Sequence, residues 1–439
     1  MECMLSKLDL FSSPPIQSSI LRTEKVNYNP ITSLENSGSI EYHIPGTFDT
    51  YRDLSSMQLT LTVKIVDNTD PPLQQLFPET VYPVNNIFHS LFRQCTVFLN
   101  NTLVSNDDMN YHYKCFFETV LNYGRDAAET HLQNVGWFLD EGSNIDSVAL
   151  NGPNRRTLLK KQKVFGYSDA ADASYKTVQL IGRLHIDIGN IQKLLPSGVD
   201  IRISLVKENP AFYMLAPNEN ALCDIKILEA SLSINHVHIN PDILLAHHKV
   251  LSSKNAIFPY KRTTVRQFTI NNGTFNLSLD NIVIGQLPNI LLFGMVPNSS
   301  YSGNFTRNPF NFKHYLLQTF SVYVNGNLIT GRPLNFEHND DNSVLTRGYE
   351  TLFSATGIHF SDRGHQVSSQ QYKDNLFLLM FDLTADHSYN SECVNMFNEG
   401  TIRIEGTFKQ ALPEPVTCLL YFEFDGLMEI DINKNVITK

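Results

Sequence analysis

Residues 89–105 read HSLFRQCTVFLNNTLVS, and residues 314–330 read HYLLQTFSVYVNGNLIT. The two stretches align without gaps at an offset of 225 (314 − 89). Five positions are identical: His89/His314, Leu91/Leu316, Val97/Val322, Asn100/Asn325 and Leu103/Leu328. Others, such as Phe98/Tyr323 and Val104/Ile329, are conservative. In each copy alternating residues run into Asn100-Asn101 or Asn325-Gly326, and a second short apolar run follows. Asn-Gly between strand-like runs is the strongest short hairpin signal, because both turn residues need positive φ; Asn-Asn is a weaker form of it. Each copy is expected to hold a tight β-hairpin, turning at Asn100 and Asn101 in one and at Asn325 and Gly326 in the other.

The likeness extends outward. Asn106-Asp107-Asp108 pairs with Asn339-Asp340-Asp341 at an offset of 233 (339 − 106), and Phe117-Glu118-Thr119 with Tyr349-Glu350-Thr351 at 232 (349 − 117). Upstream, HIPGTF (43–48) resembles INNGTF (270–275), and downstream IRI (201–203) matches IRI (402–404) at 201 (402 − 201). Landmarks in one order with drifting offsets indicate a duplicated domain with loops inserted. A chain of 439 residues accommodates two cores of about 200 residues each. The expected division is an arm (1–37), a first domain (38–243), a connector (244–262) containing His247, His248 and Pro259, a second domain (263–432) and a tail (433–439).

Composition favours strands. There are 28 Phe and 18 Tyr against a single Trp, Trp137, and Phe and Tyr suit a half-buried pleated surface. Strand-like runs include LTLTVKIV (59–66), TVQLIGRLHIDI (177–188), DIRISLVK (200–207), IKILEASLSINHVHI (225–239), VRQFTI (265–270), LFLLMFDL (376–383), TIRIEGTF (401–408) and VTCLLYFEF (416–424). Asp126-Ala-Ala-Glu129 resembles a capping box opening a short helix, and the polar stretch 143–175 reads as a long exposed loop. Many short strands between turn signals predict an all-β sandwich or double sheet. Pattern alone leaves jelly-roll and immunoglobulin-like topologies open, and the domain size with its long loops tilts toward the jelly roll.

Several chemistries find little support. A net charge of −10 disfavours general nucleic-acid binding, so contact with nucleic acid is expected to be weak at most. The six cysteines are dispersed without a CxxC pair, implying neither a zinc ribbon nor a disulfide framework. The sequons at Asn272, Asn276, Asn298 and Asn304 lack a secretion signal, and the apolar run 376–381 falls far short of the roughly 20 residues a membrane span needs. A soluble protein made in the cytosol is expected. His236 and His238 share one strand face, as cupin metal ligands do, but no glutamate follows in register and the second copy has no such pair. The NDD triplets read as turn and cap residues. The segment RRTLLKKQK (155–163), with Arg155, Arg156, Lys160, Lys161 and Lys163, offers a basic loop that nucleic acid or an import receptor would recognise. No phosphate loop, nucleophile elbow or HExxH occurs.

The stretches LDLFSSPPIQSSI (8–20), GRLHIDI (182–188), GQLP (285–288), NPFNFKHYLLQTFSVYVNG (308–326) and FEFDGLMEIDINKNV (422–436) together resemble the double jelly-roll major capsid proteins of Polinton/Maverick elements and adintoviruses. That resemblance implies two tandem eight-stranded jelly rolls with a few short helices in loops. It implies a homotrimer that mimics a hexagonal tile in an icosahedral shell, with penton or minor capsid proteins as partners. It further implies a virion location after synthesis in the host cytoplasm, with assembly possible in the nucleus, and neither catalytic residue, metal nor cofactor. The arm, with Phe11, Pro14, Pro15 and Ile16, is expected to lie against a barrel base or a neighbouring subunit. A carbohydrate-binding or adhesive β protein and a two-domain cupin-like metalloenzyme are the alternative readings.

Overall fold

The computed structural model describes residues 16–34, 38–67, 81–106, 109–166, 175–339, 342–358, 362, 364–387, 389 and 394–438. Among the described residues two bodies share one plan of eight main strands each. The first contains β1 (Ile20–Tyr28), β2 (Ser39–Ile44), β3 (Thr50–Asp67), β4 (Phe92–Leu99), β5 (Thr102–Asn106), β6 (Thr177–Gly182), β7 (Ile201–Lys207) and β8 (Cys223–Ile239). The second contains β9 (Ala256–Ile270), β10 (Asn276–Gln286), β11 (Ile290–Pro297), β12 (Leu317–Val324), β13 (Asn327–Leu328), β14 (Leu378–Asp382), β15 (Glu399–Phe408) and β16 (Val416–Ile430).

The strand orders are β1-β8-β3-β6 and β2-β7-β4-β5 in the first body, and β9-β16-β11-β14 and β10-β15-β12-β13 in the second. Adding eight to each label of one body reproduces the other. All these pairings are antiparallel, and each body is built on a pair of four-strand orders of the jelly-roll kind, to each of which the second body adds one short strand. Period-two burial forms the cores: Leu59, Leu61, Val63 and Ile65 of β3 are buried while Thr60, Thr62 and Lys64 between them are partly exposed.

The register carries the duplication to single residues. Val97, Phe98 and Leu99 face Ile203, Arg202 and Ile201; Val322, Tyr323 and Val324 face Ile404, Arg403 and Ile402. One strand of each pair is offset by 225 (322 − 97) and the other by 201 (404 − 203), yet the ladders coincide. The landmark HIPGTF does not correspond to INNGTF: the former follows β2, the second strand of its body, and the latter follows β9, the first of its body. The shared Gly-Thr-Phe reflects turn chemistry common to two different loops.

Several boundaries differ from expectation. Residues 20–28, read as part of an arm, form β1 and pair with Leu232–Ile239 of β8. Its side chains are mostly exposed, so it joins the sheet through its backbone and leaves little apolar alternation to read. Likewise β9 starts at Ala256 inside the expected connector, whose earlier part is a helix, α4 (Pro241–Leu251), introduced by the Asn240 side chain. The expected tail returns as a short strand, Val436–Thr438, against β16. Strand β6 stops at Gly182, and Asp187–Asn190 form a 3-10 turn.

The stretch 143–175 contains α3 (Arg155–Phe165), whose Thr157, Leu158, Lys161 and Phe165 are buried; a lysine on the inner face hid the amphipathic period. Asp126 lies inside a short helix that follows Gly124 and does not cap it. Three further helices recur below: α1 (Ile87–Ser90), α2 (Tyr111–Asn122) and α5 (Thr346–Thr356). The repeated Phe117-Glu118-Thr119 and Tyr349-Glu350-Thr351 lie on α2 and α5, which follow β5 and β13 in their respective bodies.

Candidate functional site: the repeated turns and the seam between the bodies

Both hairpins turn where the asparagines stand. Asn100 and Asn101 have φ of 44° and 67°, Asn325 and Gly326 of 51° and 80°. The first turn residue does more than tolerate a left-handed conformation. Asn100 N–H donates to Asp200 O (3.1 Å), and Asn100 Oδ1 accepts from Asp200 N–H (2.7 Å). Asn325 N–H donates to Thr401 O (3.0 Å), and Asn325 Oδ1 accepts from Thr401 N–H (2.9 Å). Each asparagine thus extends the β4–β7 or β12–β15 ladder by one two-way link. A Cβ at Gly400 would collide with the Asn325 amide, so glycine there admits the clamp.

The two bodies are joined along a buried seam. Asn110, just before α2, donates from Nδ2 to Val265 O of β9 (3.2 Å) and accepts at Oδ1 from Tyr301 O–H (3.0 Å). Tyr113 O–H donates to Pro309 O (3.1 Å), and the Phe116 and Phe310 rings stack with centroids 4.3 Å apart. Trp137 Nε1–H donates to Gln366 Oε1 (2.7 Å), and Gln366 Nε2–H returns to Thr119 O (3.2 Å). At one edge Asn100 Nδ2 donates to Lys434 O (2.8 Å) and Thr102 Oγ1 to Val436 O (3.3 Å). The first body's repeated turn therefore also holds the second body's last segment.

Two buried ionic centres anchor this seam. Asp187 Oδ1 accepts from Lys114 Nζ (2.7 Å) and from Thr263 Oγ1 of β9 (2.7 Å). Asp140 accepts from Lys161 Nζ (3.0 Å), Asn154 Nδ2 (3.2 Å) and, on its other oxygen, Asn308 Nδ2 (2.9 Å). Asp146 receives Asn308 N–H (2.8 Å) and Asn311 Nδ2 (3.1 Å). Lys114, Asp187, Lys161 and Asp140 are all nearly inaccessible. Removing one member of such a group strands a charge away from water, which makes the arrangement specific and rigid. Between the bodies a cleft of about 720 Å³ opens, lined by Glu118, His185, Asp187, Tyr260, Tyr389 and Glu423 among others. Burial raises the Glu423 pKa above the usual carboxylate value against the pull of Lys261, 2.8 Å away, and Tyr389 O–H donates to it (2.9 Å).

The other sequence candidates are placed as follows. Arg155, Arg156, Lys160 and Lys163 are exposed on α3, but Lys161 is wholly buried on Asp140. The expected five-residue basic loop is a helix presenting four cations, with the fifth consumed by packing. His236 meets Tyr28 O–H (3.0 Å) and Thr50 Oγ1 (3.4 Å), while His238 meets Arg22 (3.0 Å), so the pair laces β1 to its neighbours. Phe11, Pro14 and Pro15 lie outside the described residues, as do Asp107, Asp108, Asp340 and Asp341; Ile16 is 84% exposed. Sequence reading passed over Lys114, Asp140, Asp187 and Asn308 as functional residues. For Asp187 and Asn308 the signal available was their place within the strings GRLHIDI and NPFNF; Lys114 and Asp140 had none.

No family model matches the chain. An uncharacterized Caenorhabditis elegans protein is 23% identical over 439 residues, spanning 97% of this chain and 99% of that protein. Among solved structures, a chain of the Sputnik virophage cryo-EM structure matches with a TM-score of 0.64 at 10% identity, covering 99% of this chain and 91% of that one. A chain of the PBCV-1 virus capsid matches at 0.54 and 7% identity (96% and 97% covered), and the Faustovirus major capsid protein at 0.50 and 8% (95% and 92% covered). With strand order, register and these likenesses together, the fold is a double jelly roll of the kind found in viral capsid proteins.

Proposed function

We propose that this chain is a non-enzymatic major capsid protein that assembles as a homotrimer and tiles an icosahedral shell. The observation that carries the reading is the rigid fusion of two jelly rolls of identical strand order through a buried ionic and aromatic seam. Three such chains in a ring present six similar barrels, so a threefold object occupies a sixfold lattice position. The bodies are taken as 20–239 and 256–438. The likeness to virophage and large-virus capsid chains supports the role, and a relative in an animal fits an element of the Polinton/Maverick or adintovirus kind.

The surface around β1 supports self-association. Ile16, Leu21, Leu245 and Val250 are 84, 63, 73 and 55% exposed, and Asn240 N–H bonds Ser19 O to hold α4 beside the start of β1. Permanent interfaces of trimers typically bury more than about 2,000 Å² of mainly apolar surface. Penton or minor capsid proteins are the further partners, and the virion is the location. Light scattering and negative-stain images of the purified chain should show trimers of hexagonal outline; a stable monomer at high micromolar concentration would refute the reading. Because β1 begins at Ile20, the arm is tested by deleting residues 1–18, which should leave the trimer intact and weaken shell closure.

A further inference from the structure

In the first body three side chains from separate segments converge. His89 comes from α1, Cys115 from α2, and His185 from the turn after β6. One ligand atom from each lies within 4.8 Å of the other two, the only such group of three His, Cys, Asp or Glu among the described residues. His89 and Cys115 are buried and His185 is partly so. The two imidazoles meet edge to face with centroids 4.6 Å apart.

The outer hydrogen bonds orient both rings. His185 Nδ1 lies 2.5 Å from Glu118 Oε2, and His89 Nδ1 lies 3.1 Å from Tyr111 Oη. With Nδ1–H donating in each case, Nε2 carries the lone pair. A histidine whose second nitrogen is held by a carboxylate is the usual support of a metal ligand. Tetrahedral zinc, with Zn–N near 2.0–2.1 Å and Zn–S near 2.3 Å, needs its ligand atoms about 3.3–3.7 Å apart. One ring nitrogen of each histidine and Cys115 Sγ already lie within 4.8 Å of one another, so a contraction of about 1 Å meets that. His185 and Glu118 also line the cleft between the bodies, which supplies an entry path and a water.

We propose that His89 and His185, each through one ring nitrogen, and Cys115 Sγ bind one zinc ion, with a water from the cleft as fourth ligand. Binding replaces the Cys115 thiol proton with the metal, the proton leaving to solvent. The charges of the thiolate and of Glu118 then balance the ion. The metal ties α1, α2 and the segment after β6 together directly behind the seam residues Lys114 and Asp187. In the second body His314 matches His89, but at the offset of 232 shared by α2 and α5 Arg347 stands where Cys115 does. The site therefore belongs to one barrel alone.

The test uses tag-free, full-length protein purified with zinc supplied, stripped by chelator and titrated with Co²⁺. The expected result is one zinc per chain as purified, and on titration one Co²⁺ with visible d–d bands of tetrahedral intensity and a near-ultraviolet thiolate charge-transfer band. Cys115→Ser should abolish the charge-transfer band, and His185→Gln should weaken Co²⁺ affinity at least tenfold. Zinc should raise the Tm of the stripped protein by several degrees. A folded wild-type chain that takes up no cobalt, or a cobalt spectrum without a thiolate band, overturns the proposal even if the variants fail to fold. A thiolate band that survives Cys115→Ser assigns the metal to another cysteine and overturns it equally.

Discussion

The two barrels repeat one strand order but treat their shared histidine differently. His89 is sealed among Tyr111, His185 and Phe88, whereas His314 stacks on His338 (5.0 Å between centroids) and accepts Leu316 N–H at Nδ1 (3.0 Å). Their turn asparagines make the same two bonds in both copies. A turn clamp must satisfy fixed backbone donors and acceptors of a neighbouring strand, so its geometry admits few replacements. A side chain outside the sheets needs only volume and one partner, so its surroundings drift as the connections lengthen.

The largest contrast lies in charge. Asp140→Ala should destabilise the chain by about 3–5 kcal/mol, because Lys161 would remain buried without a counter-charge. Urea unfolding followed through Trp137, the single tryptophan at the seam, measures it. Asp280→Ala, which removes an exposed partner of Arg403 in the second barrel, should cost under about 1 kcal/mol. Equal losses would erase the distinction.

Both shared histidines have their pKa depressed by burial and a neighbouring histidine, so each predicts an acid limb. Burial, and then the neighbouring His338, push the His314 pKa down to about 4. Below about pH 6.5 the unfolded chain takes up this proton before the folded one does, so stability is full above that pH and falls toward pH 4. The share of His314 is of the order of 3 kcal/mol, and His314→Gln should reduce the acid loss by that share in a pH series of denaturation midpoints.

The shared clamp should break in both copies, unequally. Asn325→Ala loses the side-chain bond from Thr401 N–H and puts alanine, which tolerates positive φ less well than asparagine, at the turn, for about 1–2 kcal/mol. Asn100→Ala also releases Lys434 O and should cost about 1 kcal/mol more. The smallest effect is a gain: Asn101→Gly copies Gly326 and should stabilise the first hairpin by a few tenths up to about 1 kcal/mol, read as a small rise in Tm.

Much of the fold was legible in residues whose meaning is local. The repeated hairpin, the two IRI strands and most core strands announce themselves through alternation and turn chemistry. The first strand did not, because ILRTEKVNY joins the sheet by backbone pairing with its side chains mostly in solvent. The helix α3 hid behind Lys161, whose burial makes sense only beside Asp140. Glu118 looked like its repeat mate Glu350, yet one is half-buried against His185 and the other is exposed. Nothing within either tripeptide distinguishes them.

By itself the amino-acid sequence determined that one β domain occurs twice and where each copy turns, since period-two alternation and positive-φ residues are properties of adjacent positions. Which charges would be buried, which strand would close each sheet edge and which three side chains would meet behind the seam were decided only in the tertiary structure. Those outcomes depend on desolvation and on contacts between residues scores of positions apart, and no local pattern encodes the distance between them.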